Sequence, residues 1–356
     1  MKILLVGSFS AWSADRRISG TVISLDILVK ELLKRGIDVI SVDSGDIRKS
    51  QTFFLPELFK VWWRMFLCAK KADLIALHLS PTGFSILGPI AIFISRILRK
   101  PIIFRLFGGM DYEELPWFRR RLAGWSFSRA NRVLLQSKSL VDAAKDRGLG
   151  SVFWFPTSRK MEPLGAANPH DPCGHRFVYV GQIKKRKGIF HLIEVAKRLG
   201  DRFPLDVFGP FYDSLDEKIF EEVPNLTYGG SLPPEDVQEV LRKAKALIFP
   251  TFLREEGYSG ILIEAFSVGL PVICTHWKFL PEFVPRAAAV FCAPDDADSL
   301  EASVIEFLNN PERHSRMSDA SFINRLTFSS QLLADDFIGH CQNLVQKYKK
   351  SRWRKE

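Results

Sequence analysis

The chain has 356 residues, 46% of them hydrophobic and 25% charged, which excludes long disorder and is more than one core usually supports, so two domains are expected. Its five cysteines, Cys68, Cys173, Cys274, Cys292 and Cys341, form no CxxC pair and have no histidine cluster beside them; this excludes the usual zinc and thioredoxin spacings and points to a reducing compartment. The net charge of +10 is uneven, with 26 Lys and Arg against 14 Asp and Glu in residues 1–170 and 24 against 26 in the rest, so the N-terminal half calls for an acidic partner, nucleic acid or an anionic membrane surface.

In chain order, KILLVGSF from residue 2 reads as a buried strand, followed by a polar loop, a helix over TVISLDILVKELLKRG and the strand DVISVD. A strand starting at residue 2 leaves no room for a signal peptide, and no apolar run reaches the roughly 18 residues a spanning helix needs, so the expected place is the cytoplasm. DLIALHLS and PIIFRLF read as buried strands separated by an apolar helix at about 84–98, and VLLQS at 133–137 as another strand. Strands alternating with helices imply a parallel sheet in an α/β layer. Residues 156–174, PTSRKMEPLGAANPHDPCG, carry Pro, Gly and small polar residues without a hydrophobic period and read as a linker.

The pattern then restarts: FVYVG, a helix at about 188–200, LDVFG, LTYGG, a helix over 234–244, ALIFP, a helix from about 259, PVICT and AAVFCA. PEDVQEVLRKA puts Pro and acidic residues into a first helical turn, where the missing N–H and the negative charge are both favourable. Further helices are expected over 296–310 and about 330–348, the last ending in the basic tail KKSRWRKE. The expected division is an N-terminal α/β domain over 1–165, a C-terminal α/β domain over 175–330, and a final helix with its tail over 331–356, whose return to the first domain is an open option.

Residues 255–266, EEGYSGILIEAF, set Glu256 and Glu264 eight positions apart across a Gly-x-x-Gly turn. Read as a loop and then a helix, Ser259 or Gly260 caps the helix and leaves backbone N–H groups free at its positive end, where a diphosphate fits. Gly257 and Gly260 would let ligand oxygens approach the backbone, and the carboxylates would bracket an elongated ligand. The alternative is bland: Ile261, Leu262, Ala265 and Phe266 form a buried face, with Glu264 solvated beside Ser267 and Glu256 an ordinary loop residue. A second glycine turn, VGQIKKRKG at 180–188, offers Arg186 and Lys187 to phosphate at the carboxyl end of a strand, or is simply an exposed basic turn. The dinucleotide signature G-x-G-x-x-G occurs at neither strand.

GQIKKRKG, LDVFG, YGGSLPPEDV, LIFPTFLREEGYSGILIEAFSVGLPVI and LPEFV together resemble the C-terminal half of the family 4 retaining glycosyltransferases, whose E-x7-E motif Glu256 and Glu264 match. SGTVISLDILVKELLKRGIDV, RANRVLLQS and PIIFRLFGGMD resemble the N-terminal half more loosely. The resemblance implies an α/β protein of GT-B fold, two Rossmann-like domains with parallel sheets facing a cleft. It implies that Arg186 and Lys187 meet the donor diphosphate, that Glu264 meets the ribose and Glu256 the transferred sugar, and that Gly181 and the amides of Gly257, Tyr258, Ser259 and Gly260 complete the donor site. Gly20, Gly108, Gly109 and Asp111 are the corresponding acceptor-side positions. No cofactor and no metal is expected; Asp296-Ala-Asp298 looks like a metal-binding DxD but lies where a helix cap belongs. Two departures stand out: Gln182 where the family usually carries Arg, and Phe107 where it often carries His. Arg105, Asp111 or His78 are the candidates to compensate, although a core histidine is the simpler reading of His78.

LFKVWWRMFLCAKK at 58–71 and WFRRRLAGWSFSRA at 117–130 interleave aromatics and cations, which suits an anionic bilayer surface or, more plainly, a core face flanked by solvated lysines. Nucleic acid is disfavoured, since no recognisable binding module accompanies the aromatics. The resulting expectation is a peripheral-membrane, cytoplasmic transferase moving a sugar, with retention, from a UDP- or GDP-linked donor to a glycan or lipid-linked acceptor in surface polysaccharide biosynthesis. A catalytically silent assembly subunit and a nucleotide-sugar epimerase are the alternatives.

Overall fold

The structure, a computed structural model, describes residues 1–9, 20–45, 54–108, 115–161, 167–170 and 174–353. The chain divides into two compact units, one made of Met1–Ser158 with Ser330–Glu356, the other of Arg159–Ser329. In chain order the first contains β1 (Lys2–Gly7), α1 (Gly20–Lys34), β2 (Asp38–Asp43), α2 (Phe54–Lys71), β3 (Leu74–Leu79), α3 (Pro81–Ile97), β4 (Ile102–Leu106), α4 (Trp117–Phe127), β5 (Arg132–Leu135), α5 (Lys138–Asp146) and β6 (Val152–Trp154). The second contains β7 (Phe177–Val180), α6 (Ile189–Leu199), β8 (Leu205–Phe208), β9 (Leu226–Tyr228), α7 (Val237–Arg242), β10 (Leu247–Phe249), α8 (Gly260–Ser267), β11 (Val272–Thr275), α9 (Leu280–Phe283), β12 (Ala289–Cys292), α10 (Ala297–Asn309) and α11 (His314–Asn324); α12 (Ser330–Trp353) closes the chain in the first unit.

The first sheet has the order β2-β1-β3-β4-β5-β6 with every pairing parallel. Its central strands are apolar without alternation because both faces are covered. Leu4, Val6, Ile75, Leu77, Ile102 and Phe104 meet α2, α3 and α4 on one side. Ile3, Leu5, Leu74, Ala76 and Ile103 meet α1 and α12 on the other, where Leu25 and Leu28 pack with Phe337 and Cys341. Arg35, one residue beyond α1, pairs with Glu31 at 2.7 Å and with Asp335 of α12 at 2.5 Å, tying the last helix to the first.

The second sheet, β12-β11-β10-β7-β8-β9, is also parallel throughout. The chain winds outward from β7 through β8 and β9, then returns to the other side of β7 with β10. Ligands of open α/β sheets bind at the carboxyl ends of the strands where the winding reverses, here between β7 and β10.

Three local expectations change. Pro234–Asp236 form a turn, closed by the Asp236 N–H on the Pro233 carbonyl at 3.0 Å, so the helix expected from 234 starts at Val237. The stretch read as a linker is anchored at both ends of its described part. Thr157, Ser158 and Arg159 are buried, Asn168 donates to Ser318 at 2.8 Å, and a His170 ring nitrogen bonds the Ala244 carbonyl at 3.1 Å. Hydrogen bonds fix it, so no hydrophobic period announces it. The elements α5, β6, α9 and α11 were not anticipated, being short or weakly apolar.

His78 and Arg105 are register partners on β3 and β4, both fully buried on the face that α12 covers. Arg105 lies 4.5 Å from the ring centres of Phe107 and of Phe155 and donates to the Pro156 carbonyl at 3.1 Å, while its Nε and Nη1 and both ring nitrogens of His78 have no partner. Burial pushes the Arg105 guanidinium down to about 9, and burial together with Arg105 holds the His78 imidazole well below its ordinary value. His78 is thus a core residue, and an unsatisfied one. A base neutral when folded but protonated when unfolded lets the unfolded chain bind more protons below its ordinary pKa, so its contribution to stability falls as pH drops through about 6.5. Thermal unfolding followed between pH 7.5 and 5.5 should therefore show a smaller loss of Tm for His78→Leu than for the parent; equal losses would place the titration elsewhere.

Candidate functional site

The turn after β7 is built by backbone contacts. Tyr179 Oη donates to the Gln182 carbonyl at 2.6 Å, the Ile183 N–H bonds the Pro210 carbonyl at 2.9 Å, and the Lys185 N–H bonds the Asp213 carboxylate at 3.1 Å. A 3-10 turn over Lys185–Lys187 then ends at Gly188 with φ 80°, and a Cβ there would lie 2.3 Å from the Pro250 carbonyl oxygen. Only glycine meets both the left-handed conformation and the close approach.

That approach joins the turn to the chain leaving β10. The Phe252 N–H bonds the Arg186 carbonyl at 2.9 Å, and Lys187 Nζ pairs with Glu256 Oε2 at 2.5 Å, the two side chains 12% and 9% exposed. Thr251, fully buried, donates its hydroxyl to the same Glu256 oxygen at 3.0 Å and is itself held by the Thr275 hydroxyl on its carbonyl at 2.5 Å. Lys187 Nζ also sits 5.1 Å from the centre of the Phe249 ring, so its charge is steered by an aromatic face and a carboxylate together. Glu256 is therefore no ordinary loop glutamate.

Nor is Glu264 a solvated residue of the α8 polar side. Arg159 Nε pairs with Glu264 Oε1 at 2.5 Å, with side-chain exposures of 5% and 15%. Gly260, the first residue of α8, lies against the same guanidinium, since a Cβ on it would fall 1.8 Å from Arg159 Nη2. Ser259 occupies the cap position, but its side chain makes no capping bond. Tyr258 turns inward, its hydroxyl bonded to the Glu282 carboxylate and its ring stacked on Phe283 at 4.2 Å.

The structure thus brings Lys187 to Glu256 through the contact of two loops, and brings Arg159 to Glu264 beside Gly260. Gly181 and Gly257 are half-buried on these loops, and Arg186 is exposed, engaged through its carbonyl. In the first unit Gly20 begins α1, and Gly108, at φ 92°, donates its N–H to the Gln136 side-chain oxygen at 2.8 Å. Gly109 and Asp111 lie outside the described residues. Phe107 is buried against Arg105 and His78 and so belongs to the core. Asp296 caps α10 by accepting the Ser299 N–H at 2.9 Å, and no group of three potential metal ligands occurs among the described residues.

The profile of the family described as glycosyl transferases group 1 matches residues 166–322. Residues 166–322 are a group 1 glycosyl transferase domain. Among curated relatives, O-antigen chain mannosyltransferase B of Escherichia coli is 29% identical over 145 residues, 37% of this chain and 36% of that protein; O-antigen chain mannosyltransferase C of the same organism is 26% identical over 175 residues, 47% and 45% of the two. The matched chain thus spans less than half the length of these relatives. HepE of Anabaena, solved in complex with UDP, superposes with a TM-score of 0.74 over 97% of this chain and 100% of its own, at 14% identity. The fold is of the GT-B type. The matched segment holds the Lys187–Glu256 pair and Glu264, whose partner Arg159 precedes it.

Arg159 and Thr251 are the two site residues the sequence reading missed. A single arginine in a Pro- and Gly-containing stretch carries no local signal for a partner 105 residues away, and Thr251 is marked only by following the β10 strand. Arg159→Ala should cost about 3 kcal/mol by leaving Glu264 an unpaired, largely buried charge, read as a drop in Tm. Gly260→Ala should reproduce much of that loss by displacing the guanidinium. Adding Glu264→Gln to Arg159→Ala should recover stability; additive losses in the double variant would mean the pair is not coupled.

Proposed function

We propose that the protein transfers a sugar, with retention at the anomeric carbon, from a nucleoside-diphosphate sugar to a glycan or lipid-linked acceptor in surface polysaccharide biosynthesis. The observation that carries this reading is the meeting of the 181–188 turn with the 250–260 loop at the switch point of the second sheet, which puts Lys187, Glu256 and the N-terminus of α8 on adjoining backbone. The names of the mannosyltransferase relatives support the acceptor class, and the UDP-bound HepE structure supports a nucleotide donor.

In this reading the N–H groups of the 257–260 backbone and the start of α8 hold the diphosphate, with Lys187 and Arg186 supplying positive charge. Glu264, oriented by Arg159, accepts from the ribose hydroxyls, and Glu256, held by Thr251 and Lys187, faces the transferred sugar. When the bond from the anomeric carbon to the diphosphate oxygen loosens, charge grows on the leaving phosphate, where lysine, arginine and helix dipole stabilise it. Gly20, Gly108, Gly109 and Asp111 of the first unit are the acceptor-side positions in this reading. The basic, aromatic helices of that unit favour a peripheral position on a cytoplasmic membrane face. No metal takes part in this scheme.

A silent assembly subunit is the second reading, kept in view because Phe107 is packed into the core where the family often carries a histidine. Calorimetric titration with UDP, GDP and ADP should show binding of one of them, weakened at least tenfold by Lys187→Ala; binding by none in folded protein defeats the donor site. Glu256→Gln should abolish transfer and donor hydrolysis while leaving the nucleotide affinity within about threefold. Parent protein that binds nucleotide yet neither transfers nor hydrolyses donor with acceptor extracts is the subunit.

A further inference from the structure

Helices α2, α3 and α4 form one layer on a single face of the first sheet, with α3 between the other two. α2 buries Val61, Met65 and Ala69 beneath it, yet carries a second apolar stripe, Leu55, Phe59, Trp63 and Leu67, at four-residue spacing on the opposite side. Phe59 is 58% exposed and Trp63 47% exposed. A core explains the first stripe and has no use for the second. The same outer side continues through Phe93 of α3 to Trp125 of α4, and of the fifteen large hydrophobic side chains exposed among the described residues, ten lie on these three helices. Between α3 and α4 a groove of about 450 Å³ is lined by Pro89, Leu122, Gly124 and Trp125, with Arg121 at its edge.

The charge falls on the same layer. Residues 54–71, 81–100 and 117–130 hold eleven of the chain's 50 Lys and Arg and one of its 40 Asp and Glu, which leaves 39 of each sign in everything else. These three segments therefore carry the whole net charge of +10. Cations flank the rings directly: Lys70 lies 4.7 Å from the Phe66 ring centre and Arg129 4.5 Å from that of Trp125.

We propose that this outer face is where the protein lies on an anionic lipid bilayer, aromatic and aliphatic side chains entering the interface, Lys and Arg meeting the headgroup phosphates, and the α3–α4 groove receiving part of a lipid chain. Among the described residues no helix is long and apolar enough to cross a membrane, so contact is from one side. Two copies placed face to face would oppose ten positive charges to ten. A single-stranded nucleic acid would find no π surface in Leu55, Leu67, Ile97 and Leu122, which a lipid interface accepts. The inference deepens the membrane-side acceptor of the proposed function, but its evidence is independent of the donor site.

The test is flotation of the full chain with vesicles of phosphatidylcholine alone and of roughly three parts phosphatidylcholine to one part phosphatidylglycerol. Binding is expected only to the anionic vesicles and is expected to weaken with salt. Trp63→Ser with Phe93→Ser and Trp125→Ser should lower partitioning at least tenfold, as should Arg64→Glu with Arg121→Glu. All five positions are exposed, and unchanged thermal unfolding and nucleotide affinity would confirm that the variants fold. Indifference to lipid charge, or equal binding by parent and variants, would overturn the proposal. So would displacement of the protein from vesicles by a single-stranded oligonucleotide at stoichiometric amounts, or a dimer that the triple variant converts to monomer. Vesicle binding by a protein that binds no nucleotide would leave this surface standing and defeat the donor reading instead.

Discussion

A side chain at position 188 would collide with the Pro250 carbonyl oxygen, and that exclusion sets how closely the two loops at the second sheet's switch point approach. From the approach follows the backbone bond between Phe252 and Arg186, and from that bond the reach of Lys187 to a carboxylate 69 residues away. Thr251 and Thr275 fix the carboxylate from below. With little exposure on either partner, the ammonium and the carboxylate are held against rotation, so their separation is dictated by backbone and not by flexible side chains. Any anion that reached Lys187 would replace one anionic partner with another, at a small desolvation cost because the lysine is already largely withdrawn from water.

Both units are built on a six-stranded parallel sheet, with different strand orders, and they differ in what occupies the carboxyl ends of their strands. In the second, each buried charge near the switch point has an opposite charge within 2.5 Å. In the first, His78 and Arg105 lie there with aromatic neighbours and unsatisfied nitrogens. Arg105 stays in place because two rings and the Pro156 carbonyl substitute for a counter-ion, an arrangement with a higher intrinsic cost than the ion pairs of the other unit. The first unit accordingly leaves its buried charge without a counter-ion and carries its net charge on one outer layer, while the second pairs its buried charges at the site.

Much of this was legible before any coordinates. Strands covered on both faces, such as KILLVG and PVICT, announce themselves as unbroken apolar runs, and their alternation with helices fixes a parallel α/β architecture. Glu256 and Glu264 were found because their spacing is a motif. Their partners were less accessible: Lys187 stood among four consecutive basic residues that periodicity does not distinguish, and Arg159 sat in a polar stretch whose order comes from hydrogen bonds to Ser318, Ala244 and Phe328. The outer stripe of α2 was visible as interleaved aromatics and cations, but only the positions of Val61, Met65 and Ala69 show that the core is already supplied by other residues.

The helix that completes the first unit is made after residues 159–329. Phe337 and Cys341 of α12 fill the layer against β1, β3 and α1, and Phe337 packs on Phe155 and His78. During synthesis, residues 159–329 are complete and free to collapse on their own sheet while the N-terminal sheet still lacks α12, half of the cover that α1 and α12 give one face. The first-translated unit is then the last to finish folding, and until it does its His78–Arg105 layer remains open to water and to whatever holds nascent chains.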